Sequence, residues 1–165
     1  MKALIVIDMQ NDFIDGRLGT DEAKEIIPRV ASLINDSVYD KVFFTRDTHD
    51  ENYLDTNEGK KLPIMHCIKG TPEWNISSML NIEGAEIIDK PTFGYIGWKG
   101  KLDGYEKIDI VGLCTDICVI SNALVIESFY PNAEISIIEN ATAGTTPDKK
   151  ISALDVARSC LINVI

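Results

Sequence analysis

The chain is short of positive charge and of long apolar runs. Its 165 residues contain 16 Lys and Arg against 26 Asp and Glu, which gives a formal net charge of -10 at pH 7. A surface of this sign repels phosphate backbones and anionic membranes, so we expect neither nucleic acid nor a membrane as a partner. No apolar run reaches the ~20 residues of a membrane helix. The composition favours one domain, spanning residues 1–165, that acts on small neutral molecules.

Cysteine is scarce as well, and it lies in apolar or element-embedded contexts. The four cysteines are Cys67, Cys114, Cys118 and Cys160. Four embedded thiols do not make the disulfide framework of a small secreted domain, so we expect them to be reduced. The amino terminus offers one Lys and a short apolar run before Asp8, which is too little for a signal peptide. Both features predict a cytoplasmic location.

Strand-like and helix-like segments alternate along the chain. The apolar runs typical of buried parallel strands are ALIVID, KVFFTR, AEIIDK, KIDIVGLC, AEISIIEN and LINVI. Helices are predicted over residues 21–39, 115–130 and 147–160, with Pro28 either kinking the first helix or marking its true first turn. The alternation predicts an α/β fold of three layers, Rossmann-like, with an open and mostly parallel sheet of about six strands.

Three of these strands lead into reactive side chains. Asp8 closes the first strand, Lys90 closes the third, and Cys118 follows the fourth. The carboxyl edge of such a sheet binds ligands, so the acid, the amine and the thiol are expected in one pocket. There Asp8 would take the thiol proton, Lys90 would offset the charges, and the helix start would stabilise a thiolate. The alternative is an inert buried cysteine beside two ordinary strand-end charges.

A long segment, residues 46–84, holds both histidines of the protein. Asp47 and His49 are two positions apart and so face the same way on an extended chain, while His66 returns from the far end with Glu58 between them. Carboxylate and imidazole ligands suit zinc, iron or manganese and leave positions open for water or substrate. Solvated loop histidines are the alternative.

Five ordered motifs carry a resemblance to a known family. The chain resembles the isochorismatase-like cysteine hydrolases, and within them it is most similar to the nicotinamidase branch. The motifs are LIVIDMQNDF, FFTRDTHDENY, LPIMHCIKGTPEW, DKPTFGY and VGLCTDICV. They run nearly from one end of the chain to the other, and chance agreement at all five is very improbable.

The resemblance implies roles for individual residues. Asp8, Lys90 and Cys118 match the family's catalytic triad, the backbone N–H groups of Cys114 and Cys118 match its oxyanion hole, and a cis peptide is implied between Leu113 and Cys114. The implied ligands of a divalent metal, zinc first with iron or manganese as alternatives, are Asp47, His49 and His66. Glu58 resembles an additional carboxylate ligand that some members use. Phe13, Phe93 and Tyr95 are the implied pocket walls.

The implied activity is hydrolysis of the carboxamide of nicotinamide, or of a similar small amide, to the acid and ammonia through a Cys118 thioester. One alternative is a family hydrolase for another small amide or carbamoyl compound. It stays open because Lys61–Met65 stand where nicotinamidases commonly carry an aromatic ring, unless Tyr53 or Trp74 supplies that ring instead. Another is a non-catalytic module in which Cys114 and Cys118 form a redox pair. The resemblance also implies a homo-oligomer.

Overall fold

The computed structural model describes residues 1–165, and its centre is a six-stranded sheet in which all paired strands run parallel. The strands are β1 (Lys2–Ile7), β2 (Lys41–Asp47), β3 (Glu86–Lys90), β4 (Lys107–Leu113), β5 (Glu134–Ala143) and β6 (Asn163–Val164). They lie in the order β3-β2-β1-β4-β5-β6, so the direction of crossover reverses between β1 and β4. The carboxyl ends of those two strands therefore flank the crevice where such sheets bind ligands.

Six α-helices, three 3₁₀ turns and one π-helical turn connect the strands. The helices are α1 (Asn11–Ile14), α2 (Asp21–Glu25), α3 (Ile27–Ile34), α4 (Asn57–Lys61), α5 (Ile120–Phe129) and α6 (Pro147–Ser159). A π-helical turn, Thr115–Val119, leads into α5, and 3₁₀ turns lie at Tyr53–Asp55, Pro72–Trp74 and Ile96–Trp98. No helix combines the length and the apolarity needed to cross a bilayer.

Two apolar cores of similar size cover the two faces of the sheet. One lies under α1 to α3 and includes Val30 and Phe44; the other lies under α5 and α6 and includes Ile126 and Leu154. Strands buried on both faces read as continuous apolar runs, as the sequence shows. The predicted three-layer, mostly parallel α/β architecture is confirmed.

The predicted helix over residues 21–39 is wrong in its extent. The structure has two short helices, α2 and α3, separated at Ile26, and the second ends at Ile34. Pro28 lies in the first turn of α3, where its missing N–H costs nothing, so it begins a helix rather than kinking one. Beyond Ile34, the Asn35 side chain donates to the Ala31 carbonyl and competes with further helix.

A glycine lets β4 pass close to β1 just before the nucleophile turn. Gly112 has a φ of 109°, and a Cβ there would lie 2.1 Å from the carbonyl oxygen of Ile7. The pairing of β4 with β5 also shifts register between Ile110 and Gly112. The end of β4 is thus fixed by a backbone contact that tolerates no side chain.

We predict that Gly112→Ala destabilises the protein by about 3–5 kcal/mol. The alanine would have to adopt a positive φ, and its Cβ would clash with the Ile7 backbone. Chemical denaturation measures the free energy of unfolding. The matched control is Gly70→Ala, since Gly70 has a φ of 85° but nothing within 4 Å of a Cβ. Gly70→Ala should lower the free energy of unfolding by only about 1–2 kcal/mol, which is the cost of the backbone conformation alone. Equal losses in the two variants would contradict the close-contact explanation.

Candidate active site

The acid, the amine and the thiol meet at the carboxyl edge of the sheet. The Lys90 ammonium lies 2.6 Å from Asp8 Oδ2 and donates to Cys118 Sγ at 3.4 Å. Lys90 reaches these partners from β3 across the end of β2, where Asp47 Oδ1 lies 3.6 Å from the same ammonium. One cation therefore contacts two carboxylates and a thiol.

All three groups are removed from water. Asp8 and Lys90 have no exposed surface, and Cys118 is 4% exposed. Burial raises the pKa of Asp8 although the Lys90 charge opposes it, and the two nearby carboxylates outweigh burial and raise the pKa of Lys90. The result is a cation that stays charged and a carboxyl group better able to hold a proton.

The thiol differs from the sequence expectation. A stabilised thiolate at the start of a helix was predicted, yet burial and then the Asp8 charge raise the pKa of Cys118 well above its ordinary value. The raised pKa favours the protonated thiol as the resting group. A proton acceptor is then needed, and Lys90 brings the Asp8 carboxylate near the sulfur because its ammonium contacts both groups.

Thr45 fixes the orientation of the Asp8 carboxylate. Its hydroxyl donates to Asp8 Oδ1 at 2.6 Å, and the backbone N–H of Asp8 donates to Thr45 O at 3.2 Å. Asp8 has a φ of 46°, which turns the chain sharply at the end of β1. With Oδ1 occupied by Thr45, Oδ2 faces Lys90.

The turn between β4 and α5 presents backbone N–H groups beside the thiol. The peptide between Leu113 and Cys114 is cis, as the resemblance implied. The Cys114 N–H donates no hydrogen bond within the protein, whereas the Cys114 carbonyl accepts from Ile117 and Val119. A free N–H at this position suits a developing oxyanion.

A second group of four side chains lies next to the thiol site. The ligand atoms of Asp47, His49, Glu58 and His66 all lie within 4.8 Å of one another. His49 Nε2 is 3.0 Å from Asp47 Oδ2 and 3.6 Å from Glu58 Oε1, and His66 Nε2 is 3.6 Å and 3.7 Å from the same two oxygens. Ligands about 2.0–2.1 Å from one tetrahedral ion are spaced in this way.

The surroundings of the four side chains also fit a cation. The Asp47 Oδ1 atom is buried and has no hydrogen-bond partner. Burial alone would raise the pKa of Asp47, but hydrogen bonds to His49 and His66 together with the Lys90 charge lower it, which keeps the carboxylate ionised. His66 Nδ1 lies 2.7 Å from the Ile64 carbonyl, and donation there leaves Nε2 free as a ligand.

Gln10 holds Asp47 by its backbone, a role that the sequence analysis missed. The Gln10 amide accepts from the Asp47 N–H at 2.7 Å and donates to the Asp47 carbonyl at 2.9 Å and to the Trp74 carbonyl at 2.8 Å. The side chain is fully buried. A buried amide directly after a strand is the signal that could have revealed it.

Cys118 and three side chains of the second group line a common cavity of about 60 Å³, small enough to admit only a small ligand. Its walls are Phe13, Leu18, Asp47, Glu58, Leu62, His66, Phe93, Cys114, Ile117 and Cys118. The structure thus places Phe13 and Phe93 at the cavity, together with Leu18, Leu62 and Ile117, which the sequence analysis did not name as walls.

Three other aromatic candidates do not line this cavity. Tyr95 packs edge-on against Trp98 with 5.4 Å between the ring centroids. Tyr53 lies beneath the two histidines, and Trp74 packs on the Arg46 guanidinium at 3.6 Å. The position of Tyr95 two residues after a wall residue was misleading, because its ring packs on the Ile96–Trp98 turn that follows it.

The fold and the site define an α/β protein with a buried thiol, acid and amine beside a four-ligand group. Known proteins share this architecture. The isochorismatase domain model matches residues 2–165. The nicotinamidase/pyrazinamidase of Mycobacterium tuberculosis (strain ATCC 25618 / H37Rv) is 25% identical over 185 residues, which cover 100% of this chain and 98% of that protein.

Solved structures agree. The pyrazinamidase of Pyrococcus horikoshii in complex with zinc has a TM-score of 0.85 and 29% identity, with 99% of this chain and 98% of that chain covered. A nicotinamidase from Bacillus subtilis has a TM-score of 0.84 and 27% identity over the same shares of the two chains. The chain belongs to the isochorismatase domain family, which confirms the resemblance found in the sequence.

We predict that Lys90→Met lowers the free energy of unfolding by about 3–5 kcal/mol near neutral pH, because the buried Asp8 loses its cation. Without Lys90, the folded-state pKa of Asp8 rises further above its unfolded value. An acid with a raised folded pKa destabilises the fold as it ionises, so the loss should be larger at about pH 8 than at about pH 5. Denaturant titrations at the two pH values measure the loss of unfolding free energy and its dependence on pH.

The matched control is the double variant Asp8→Asn/Lys90→Met, which removes both charges together. It should regain part of the stability at about pH 8 and lose the pH dependence. A single variant that is equally destabilised at both pH values would show that Asp8 does not depend on Lys90.

Proposed function

We propose that this protein is a cysteine-dependent amidohydrolase that converts nicotinamide, or a closely similar small carboxamide, to the acid and ammonia. The observation that carries the proposal is that Cys118, which Lys90 links to Asp8, lines one small cavity together with Asp47, Glu58 and His66 of the four-ligand group. Its relatives named as nicotinamidases support the choice of substrate. The net charge of -10 favours a neutral substrate over an anionic one.

The first half of the reaction forms a thioester. Asp8 takes the proton of the Cys118 thiol, and the sulfur adds to the carboxamide carbon. The carbonyl oxygen becomes an oxyanion that accepts hydrogen bonds from the backbone N–H groups of Cys114 and Cys118. Lys90 balances the negative charge that moves between Asp8 and sulfur. When the C–N bond breaks, Asp8 returns the proton to the nitrogen and ammonia leaves.

The second half releases the acid. Asp8 takes a proton from water, the resulting hydroxide adds to the thioester carbon, and the same two N–H groups hold the oxyanion. The C–S bond then breaks, and Asp8 gives its proton back to the sulfur. The raised pKa of Asp8 suits this alternation, because the group must both accept and release a proton.

We propose that Asp47, His49, Glu58 and His66 hold one divalent metal, with zinc preferred to iron or manganese. A metal bound by these residues would supply a Lewis acid for a ring nitrogen or a water molecule. The Phe13 and Phe93 rings would bound the aromatic ring of the substrate, which leaves the carboxamide to face Cys118. Cytoplasmic location and a homo-oligomeric state stay predictions from the sequence.

We expect Cys118→Ala to lose ammonia release from nicotinamide by about 10⁴-fold or more, since no other group can form the thioester. A coupled ammonia assay measures the rate. The control is Cys160→Ala, which removes a half-buried thiol at the end of α6 and should leave the rate unchanged. A panel of pyrazinamide, benzamide and carbamoyl compounds ranks the alternative substrates. Turnover of a carbamoyl compound with nicotinamide inert would refute the named substrate and keep the thioester chemistry.

We expect the purified wild-type protein to bind about one equivalent of divalent metal and to gain thermal stability from it, because a ligand that binds the folded state stabilises that state. Elemental analysis and melting scans with zinc, iron or manganese measure both effects. His66→Ala should lose the metal and the stabilisation. Asp50→Asn, an exposed change in the same loop, should retain both. Equal metal content in these two variants would rule out the proposed ligand set.

A further inference from the structure

One buried side chain on α5 joins the cavity wall to the nucleophile. Asn122 has no exposed surface, and all four of its side-chain hydrogen-bonding positions are used. Its Nδ2 donates to the Phe93 carbonyl at 2.9 Å and to the Cys118 carbonyl at 2.7 Å. Its Oδ1 accepts from the Tyr95 N–H at 3.0 Å and from the Trp98 indole N–H at 2.8 Å.

The segment that Asn122 holds has no other polar attachment. No hydrogen bond except those to Asn122 joins residues 91–95 to the rest of the protein; the Thr92 hydroxyl bonds within the segment, to the Gly94 carbonyl. A Cβ on Gly94 would lie 3.2 Å from the Ser121 carbonyl oxygen, so the segment lies directly on α5. Its position above α5 therefore depends on one amide and on close packing.

Residues 91–95 include Phe93, whose side chain lines two separate spaces. Phe93 lines the small inner cavity and also an outer groove of about 410 Å³, and its side chain is 41% exposed. Glu58 and Leu62 also line both spaces. A substrate that moves from the groove to the cavity passes these three residues, so the placement of Phe93 affects how well the ring is held.

We propose that Asn122 is a positioning residue that fixes Phe93 relative to the Cys118 sulfur and thereby sets the affinity of the site for the ring of its substrate. The inference rests on the proposed function for the identity of that substrate. Asn122 touches neither the reacting atoms nor the cavity. Its effect on the reaction passes through the Phe93 carbonyl, which it holds directly.

The first test is Asn122→Asp. A carboxylate still accepts from the Tyr95 and Trp98 N–H groups, but it cannot donate to the Phe93 and Cys118 carbonyls and it repels them. We expect the KM for nicotinamide to rise about tenfold, with kcat reduced by less than about threefold, because binding is lost while the proton-transfer groups stay in place. Asn122→Ser is the second variant, should Asp prevent folding.

Tyr130→Phe is the matched control for lost hydrogen bonds. The Tyr130 hydroxyl binds the next part of the chain between β3 and β4. It accepts hydrogen bonds from the Gly100 and Leu102 N–H groups and donates one to the Trp98 carbonyl. Its removal costs a comparable number of hydrogen bonds but leaves residues 91–95 attached. We expect lower stability with an unchanged KM. A KM that rises equally in Tyr130→Phe and in the Asn122 variants would overturn the proposal, since general loosening would then suffice.

A double-mutant cycle with Phe93→Ala separates positioning from a structural role. If Asn122 acts through the Phe93 ring, Phe93→Ala alone raises the KM, and adding Asn122→Asp raises it by less than about twofold more. If the KM increase of the double variant equals the product of the two single increases, Asn122 acts on the KM without Phe93, and the proposal is overturned.

The rate of Cys118 alkylation by iodoacetamide gives a readout that needs no substrate. With the Phe93 wall released, alkylation of the peptide containing Cys118, followed by mass spectrometry, should be about threefold faster or more in Asn122→Asp and unchanged in Tyr130→Phe. If nicotinamide is inert with every variant, the proposed function fails while this comparison still decides the role of Asn122. Equal alkylation rates in wild type and Asn122→Asp would refute it.

Discussion

The site depends on one buried ammonium that serves two carboxylates. Lys90 lies 2.6 Å from Asp8 and 3.6 Å from Asp47, and none of the three side chains is more than 2% exposed. Two carboxylates at this depth would otherwise repel each other without water to screen them. The cation allows the base of the thiol and a ligand of the four-residue group to be neighbours, so it holds the two halves of the site together.

The same arrangement gives the two carboxylates opposite properties. Asp8 has one oxygen on Thr45 and the other facing Lys90, and burial prevails, which raises its pKa. Asp47 faces the two histidines as well as Lys90, and these partners prevail over burial and lower its pKa. Two acids from neighbouring strands thus differ in the direction of their pKa shifts, and under the proposed function the first carries a proton while the second stays ionised. The division of roles comes from the partners of each acid, since both residues are Asp.

Much of this was accessible from sequence because parallel strands align their ends. Asp8, Lys90 and Cys118 follow apolar runs, and sheet geometry brings such residues together whatever the loops do. The break at Ile26 and the direction of the Tyr95 ring depend on local turns, which apolar periodicity does not encode. Gln10 and Asn122 were missed because the role of a buried amide depends on partners that are distant in sequence. The same holds for the raised pKa of Cys118, which burial sets.

The two sides of the cavity are built with different rigidity. The acid and the amine stand at the ends of β1 and β3, and the thiol lies in the turn that follows β4, whose end is fixed by ladder hydrogen bonds and by the contact of Gly112 with Ile7. The opposite wall, around Phe93, lies on a short segment that packs on α5 through a single amide. Under the proposed function, variation in that segment changes which ring is accepted without disturbing the proton transfer between Asp8 and Cys118. The reaction is therefore a property of the sheet edge, and the substrate range is a property of the connection that follows β3.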